Sequence, residues 1–155
     1  MKNNIGLDQT KSKELAFMLN DLLANYQIFY QNLRGFHWNI KGKQFFELHL
    51  KFEELYNDAV LKIDEIAERI LTLQEVPLHT FEAYLNASEI RSIEKDRVDS
   101  SIISNVIESF KTLILKERGI LKKASETDDE GTVSQMSDYI TQTEKVVWML
   151  DAYLG

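Results

Sequence analysis

No cysteine occurs among the 155 residues. Disulfides, thiolate catalysis and thiolate metal sites are therefore excluded. Proline occurs once, as Pro77, and glycine only six times. So few helix breakers favour long helices over a many-stranded sheet. No apolar run approaches the ~18 residues of a membrane-spanning helix, and the opening MKNNIGLDQTKSKELA lacks the apolar core of a signal peptide. The expectation is a cytoplasmic protein without a membrane partner. An excess of positive charge is also lacking: 18 Lys and Arg stand against 25 Asp and Glu, for a formal net charge of −7. Such a chain offers phosphate backbones no general attraction and is better suited to drawing in cations. Glycine-rich nucleotide loops, the P-loop, the GxSxG elbow and the HExxH zinc motif are all missing.

Helical periodicity is what the sequence has. Four long segments repeat apolar residues at spacings of three and four, and breakers separate them. The first runs from about Asp8 to His37, with Leu15, Met18, Leu19, Leu22, Tyr26, Phe29, Tyr30 and Leu33 on one face. Gly35 and then Asn39-Ile40-Lys41-Gly42 mark its end. The second runs from about Gln44 to Leu73, on a stripe of Phe52, Leu55, Ala59, Ile63, Ile66 and Ile70. A short helix is expected over Thr80 to Ser88, followed by a charged connection from Glu89 to Asp99. The third long helix runs from about Ser100 to Glu126, with Ile103, Val106, Ile107, Phe110, Leu113 and Ile114 inward. An acidic turn, Thr127 to Gly131, precedes the fourth, from about Thr132 to Tyr153, with Val133, Met136, Ile140, Val147, Leu150 and Leu154 as its apolar set. The expected fold is all-α: a four-helix, ferritin-like bundle in one domain, residues 1–155, with a short extra helix in the long connection between helices two and three.

The second helix carries the informative chemistry. His49 and Glu53 are four residues apart, and so are Asp64 and Glu68. Each pair shares one helix face, and imidazole with carboxylate is a donor set that suits iron. At about 100° per residue from His49, Glu53 falls at about 40°, Asp64 at about 60° and Glu68 at about 100°. All four form one polar stripe, well away from the core stripe at about 285°. Tyr56, Val60 and Ala67 lie between the two stripes. Along the helix, however, Glu53 and Asp64 are roughly 16 Å apart, far beyond a metal–ligand bond of about 2 Å. One helix cannot close the site. Two copies packed antiparallel can, because both pairs centre between Asp58 and Ala59. A two-fold axis there sets His49 against Glu68 of the second copy, and Glu53 against Asp64, giving two equivalent sites per dimer. The absence of a Glu-x-x-His pair, which intrachain di-iron bundles use, agrees with a site between chains. His37, at the end of the first helix, can approach His49 across the short turn. An acidic pair alone is ordinarily a solvated face and a lone histidine a capping residue; the symmetric spacing sets these apart. Trp148 reads as core or interface, and His79 as a loop residue.

Together these residues resemble a known family. Asn32-Leu33-Arg34-Gly35-Phe36-His37-Trp38-Asn39, then Gly42, Phe45, Leu48-His49, Glu53 and Asp64-Glu65-Ile66-Ala67-Glu68-Arg69, resemble the signature of the Dps-type mini-ferritins. The ending from Lys145 to Gly155 is similar too, so the likeness spans the chain. The resemblance implies hollow dodecamers of tetrahedral symmetry, built from two-fold dimers. It implies ferroxidase sites at the two-fold interface, with His37, His49 and Glu53 from one subunit and Asp64 and Glu68 from the other. It implies oxidation of Fe(II) to Fe(III), preferentially by hydrogen peroxide, storage of ferric mineral, and protection against oxidative stress. Two departures matter. Glu53 stands where many members have Asp, and its extra methylene changes the carboxylate's reach. The N-terminal arm is short, with only Lys2, Lys11 and Lys13 basic, so the DNA binding of members with longer lysine-rich tails is not expected. The resemblance also places Asp128, Asp129, Glu130 and Asp138 at three-fold pores, where acids would concentrate Fe(II); the alternative is a solvated, helix-capping turn. Arg69 is placed to support a neighbouring carboxylate. The competing readings are a non-enzymatic DNA-compacting protein and a structural or receptor-binding bundle with a degenerate site.

Overall fold

The computed structural model describes residues 1–94 and 98–155. Among the described residues there are five helices: α1 (Gln9–Asn39), α2 (Phe45–Thr72), the short α3 (Phe81–Ala87), α4 (Asp99–Ser125) and α5 (Glu130–Leu154). This is the anticipated bundle with its extra helix. Part of the Glu89–Asp99 connection, residues 95–97, lies outside the described residues. Among the described residues no helix is long and apolar enough to cross a membrane.

Two boundaries differ from the sequence reading, each for a local reason. Gly35 does not end α1, which continues to Asn39; the Ile40 N–H closes the last turn on the Phe36 carbonyl. Glycine without a following breaker only weakens a helix, by about 1 kcal/mol relative to alanine. At the other end of the chain α5 begins at Glu130, inside the expected turn. Asp129 is its N-cap, and its carboxylate accepts the Thr132 N–H.

The pairs α1/α2 and α4/α5 are hairpins with short turns, residues 40–44 and 126–129. Their inward faces make one core that includes Leu19, Leu22, Tyr26, Phe29, Phe52, Ile66, Val106, Leu113 and Met136. The long crossover from α2 to α4 has little periodic structure, so its backbone needs partners elsewhere. Three asparagines of α1 supply them. Asn20 accepts the Leu78 N–H and donates to the Val76 carbonyl. The Asn25 carbonyl oxygen accepts the N–H groups of Glu89 and Ile90 and the Ser88 hydroxyl. Asn32 accepts the Ile93 N–H and donates to the Arg91 carbonyl. The crossover is thus hydrogen-bonded along the length of α1.

The centre of the bundle is not wholly apolar. Glu117 of α4 is completely buried, and the Tyr26 hydroxyl of α1 donates to its Oε1 at 2.6 Å. Its Oε2 has no hydrogen-bond partner among the described residues. Burial pushes this carboxyl up to about 7, against the opposing pull of the Tyr26 hydrogen bond and the Lys62 charge. Lys62 of α2, only 4% exposed, pairs with Asp58 at 2.5 Å and lies 5.2 Å from the centre of the Tyr139 ring. Both polar residues sit on apolar stripes, Glu117 between Leu113 and Ile120 and Lys62 between Ala59 and Ile66.

A carboxyl that binds its proton more tightly in the folded state favours folding at low pH, and that contribution disappears as pH rises from about 4.5 through about 7. Glu117→Gln keeps the shape and the acceptor for Tyr26 but carries no charge. The expected advantage of the variant over wild type in denaturant midpoint is small at pH 5 and grows by on the order of 3 kcal/mol by pH 8. Parallel stability profiles for the two proteins would refute this.

Candidate metal centre

The turn between α1 and α2 brings two predicted ligands together. His37 and His49 stack with ring centroids 3.7 Å apart and planes 12° from parallel. Each ring is held by the other residue's backbone: His37 Nδ1 lies 2.6 Å from the His49 carbonyl oxygen, and His49 Nδ1 lies 2.7 Å from the His37 carbonyl oxygen. A carbonyl oxygen can only accept, so both Nδ1 atoms carry protons and donate. In the neutral rings each Nε2 is left with its lone pair. This is how metal-binding histidines are commonly oriented, with one nitrogen fixed by a carbonyl and the other free to coordinate. The His37 carbonyl is one of the orphan acceptors of the last turn of α1, so the contact also satisfies that helix end.

Aromatic rings wall this pair. Phe45 stacks on His49 at 4.9 Å, and Tyr56 meets His37 edge-on at 5.3 Å. Tyr30 packs edge-on against Tyr56 at 6.0 Å. Trp38 points outward, with the Arg34 guanidinium 4.7 Å from its ring centre. His37 is 8% exposed and His49 partly buried.

The three predicted carboxylates lie further along the open face of α2. Glu53 is half-buried; Asp64 and Glu68 are exposed. Among the described residues none of the three has an ion pair or a side-chain hydrogen bond. Among the described residues of this single chain, no three histidine or carboxylate groups come together. The structure therefore joins His37 to His49 and leaves Asp64 and Glu68 apart from them. At the midpoint of the stripe Asn57 and Val60 are exposed, whereas Ala59 is turned into the chain's own core. The face that would meet a second copy has no partner among the described residues.

Arg69, next to Glu68, turns away from the stripe. Its Nη2 pairs with Asp129 at 2.5 Å and its Nε donates to the Thr132 hydroxyl at 2.9 Å. Asp129 is 2% exposed. Gly131 makes the arrangement possible, since a Cβ there would lie 2.9 Å from both terminal guanidinium nitrogens. Arg69 thus ties the end of α2 to the start of α5. Asp129 is a helix cap and ion-pair partner, in line with the capping alternative for this turn; Asp128, Glu130 and Asp138 are exposed. Trp148 is 66% exposed, so it is no part of the chain's core.

Comparison with known proteins gives the family of the fold. Residues 17–155 match the model of the ferritin-like domain. A protein of Haemophilus influenzae is 50% identical over 151 residues, covering 97% of this chain and 94% of its own length. The DNA protection during starvation protein of Porphyromonas gingivalis is 42% identical over 148 residues, covering 96% and 93%. Among solved structures, the Dps protein of Vibrio cholerae O1, described as a member of a superfamily of ferritin-like diiron-carboxylate proteins, superposes with a TM-score of 0.98 at 55% identity, covering 99% of this chain and 97% of its own. A Dps protein from Bacillus brevis gives 0.92 at 35% identity, covering 96% and 100%. The chain belongs to the ferritin-like proteins and, within them, to the Dps-type mini-ferritins.

Removing the guanidinium leaves Asp129 buried and unpaired. Arg69→Ala is expected to cost on the order of 3 kcal/mol, measured as a lower denaturant midpoint. A midpoint unchanged from wild type would mean that the ion pair does not hold α2 to α5.

Proposed function

We propose that the protein is an iron-storing ferroxidase of the cytoplasm, acting at sites that two chains complete together. The observation that carries this is the reciprocal hydrogen bonding of His37 and His49, which presents two Nε2 lone pairs beside a helix face of unpaired carboxylates. His37, His49 and Glu53 of one subunit, with Asp64 and Glu68 of its two-fold mate, bind Fe(II) as substrate. The imidazoles hold the divalent ion, and the carboxylates favour the Fe(III) product through charge. Hydrogen peroxide is the preferred oxidant: it takes one electron from each of two Fe(II) ions as its O–O bond breaks, so no hydroxyl radical is released. Twelve chains, assembled as two-fold dimers, enclose the ferric mineral and limit oxidative stress. Asp128, Glu130 and Asp138 draw Fe(II) toward the three-fold openings. The fit of the donors, a similarity to a diiron-carboxylate relative and an acidic chain all support this reading.

A DNA-compacting role is suggested by the name of the relative from Porphyromonas gingivalis. Against it stand the net charge of −7 and the N-terminal residues themselves. Asn3 accepts the N–H groups of Ile5 and Leu7 and donates to Ser12, and the Asn4 N–H donates to Gln74. The first residues are thus tied to the body and do not form a free basic arm. No shift of DNA is expected in a gel at neutral pH without divalent cations.

Mixing defective subunits tests the shared site. His37→Ala/His49→Ala and Asp64→Ala/Glu68→Ala are each expected to lose fast peroxide-driven oxidation of Fe(II). Refolded together they form mixed dimers with one intact site, and random pairing restores roughly a quarter of the wild-type rate. No recovery, in particles of normal size, would sink the shared site. Asp128→Asn with Asp138→Asn should slow uptake at low Fe(II) and leave it unchanged at saturation.

A further inference from the structure

The proposed iron chemistry uses one face of α2 and leaves another side of the helix unused. On the angular scale that puts His49 to Glu68 at about 0–100°, Lys62, Leu55 and Leu48 fall at about 220–260°. This side meets α5. Arg69 donates to the Thr132 hydroxyl and the Tyr139 hydroxyl donates to Glu65, so the two helices run antiparallel and one half of their seam is closed. Past Tyr139, among the described residues, no hydrogen bond or ion pair joins them. The lysines of α2 there pair within their own helix, Lys51 with Glu54 and Lys62 with Asp58. The open half of the seam holds a cavity of about 520 Å³ between α2, α4 and α5, a volume that suits a small organic molecule.

The groove is apolar along its length and polar at one end. Leu48, Leu55, Phe110 and Leu150 line it as buried side chains, and Val146 and Met149 complete the α5 wall. The register that sets Glu65 against Tyr139 puts Lys62 level with Thr143, and both are buried lining residues. The Lys62 ammonium donates to Asp58 and carries further N–H groups. The Thr143 hydroxyl has no partner among the described residues. Thr72, Thr112 and Thr141, also within helices, return theirs to the carbonyl four residues back. A buried hydroxyl left over in the wall of a cavity calls for a partner from outside the chain. The carboxylates of Glu47, Glu54 and Asp58 stand at the exposed mouth.

Length and charge define what fits. From Thr143 to Tyr153 α5 rises about 15 Å. An extended chain of about ten carbons, with bonds of about 1.5 Å in a zigzag, nearly fills that distance. Asp58 already balances Lys62. A carboxylate head would set a second anion against Asp58, and an ammonium head a second cation against Lys62. A neutral oxygen accepts from Lys62 and Thr143 with neither penalty. We propose that the α2/α5 groove binds a medium-chain aliphatic molecule ending in a neutral hydroxyl, with its oxygen between Lys62 and Thr143 and its chain running toward Tyr153. The bound chain bridges two helices where no polar contact joins them, so it stabilises the folded protein by mass action. The groove lies away from the His49–Glu68 stripe, and its occupancy is independent of the ferroxidase reading.

Titration calorimetry and thermal unfolding of the assembled, iron-free protein with 1-decanol test this. One molecule per chain is expected, with a rise in thermal midpoint. 1-Octanol should bind on the order of tenfold more weakly, because two methylenes are lost. Decanoate and decylammonium should each bind about tenfold more weakly than the alcohol, or worse. Thr143→Val keeps the side chain's shape and removes the hydroxyl; it should weaken 1-decanol about fivefold in particles of unchanged size. Val146→Phe fills the groove from its partly exposed wall and should abolish binding. If that variant fails to assemble, Thr143→Val and the comparison of the four ligands decide. Neither heat nor a midpoint shift up to the solubility of 1-decanol overturns the proposal. So does binding that both variants leave unchanged, which would place the alcohol elsewhere on the shell. Decanoate or decylammonium bound as tightly as the alcohol overturns the neutral head.

Discussion

Two imidazoles, each donating its Nδ1–H to the other residue's backbone carbonyl across one turn, are the constraint on which the candidate site depends. Each Nδ1–H is committed to the backbone of the other residue, so tautomer, ring orientation and hairpin closure are set together. A histidine that could rotate would have to be ordered by the metal itself. Here the cost of ordering falls on folding, and the lone pairs are already directed. The stacked rings with Phe45 and Tyr56 against them restrict the same freedom through packing.

The remainder of the fold holds that hairpin in place by polar contacts at points where apolar packing alone is not selective. Asn20, Asn25 and Asn32 give an irregular crossover one path along α1. Arg69 fixes the far end of α2 to the cap of α5, with Gly131 leaving room for the guanidinium. Glu117 and Lys62 break the apolar stripes of α4 and α2 at the centre. Such groups stabilise less than well-packed hydrophobic residues would.

Much of this was legible in the residues. Spacings of three and four located every long helix, and the i, i+4 pairs located the stripe on α2. Gly35 misled, because a glycine is a weak helix breaker when the carbonyls on either side still find their partners. Asp129 follows the capping alternative for the acidic turn, but its burial was not legible, because only the approach of Arg69 from a distant segment encloses it. Glu117 and Lys62 were in principle visible as charged residues on apolar stripes, but the pattern alone does not say whether such a residue is buried or the stripe is interrupted by solvent.

The sequence by itself determined the bundle, the donor types and the symmetric spacing of His49, Glu53, Asp64 and Glu68, because these are properties of one helix and follow from its fixed rise and turn. Only the tertiary structure decided which ring nitrogens are free, that His37 stacks on His49, and that the Tyr26 hydroxyl donates a hydrogen bond to Glu117. Those facts depend on side chains from different helices meeting at hydrogen-bond distance, and periodicity along a single helix carries no information about that.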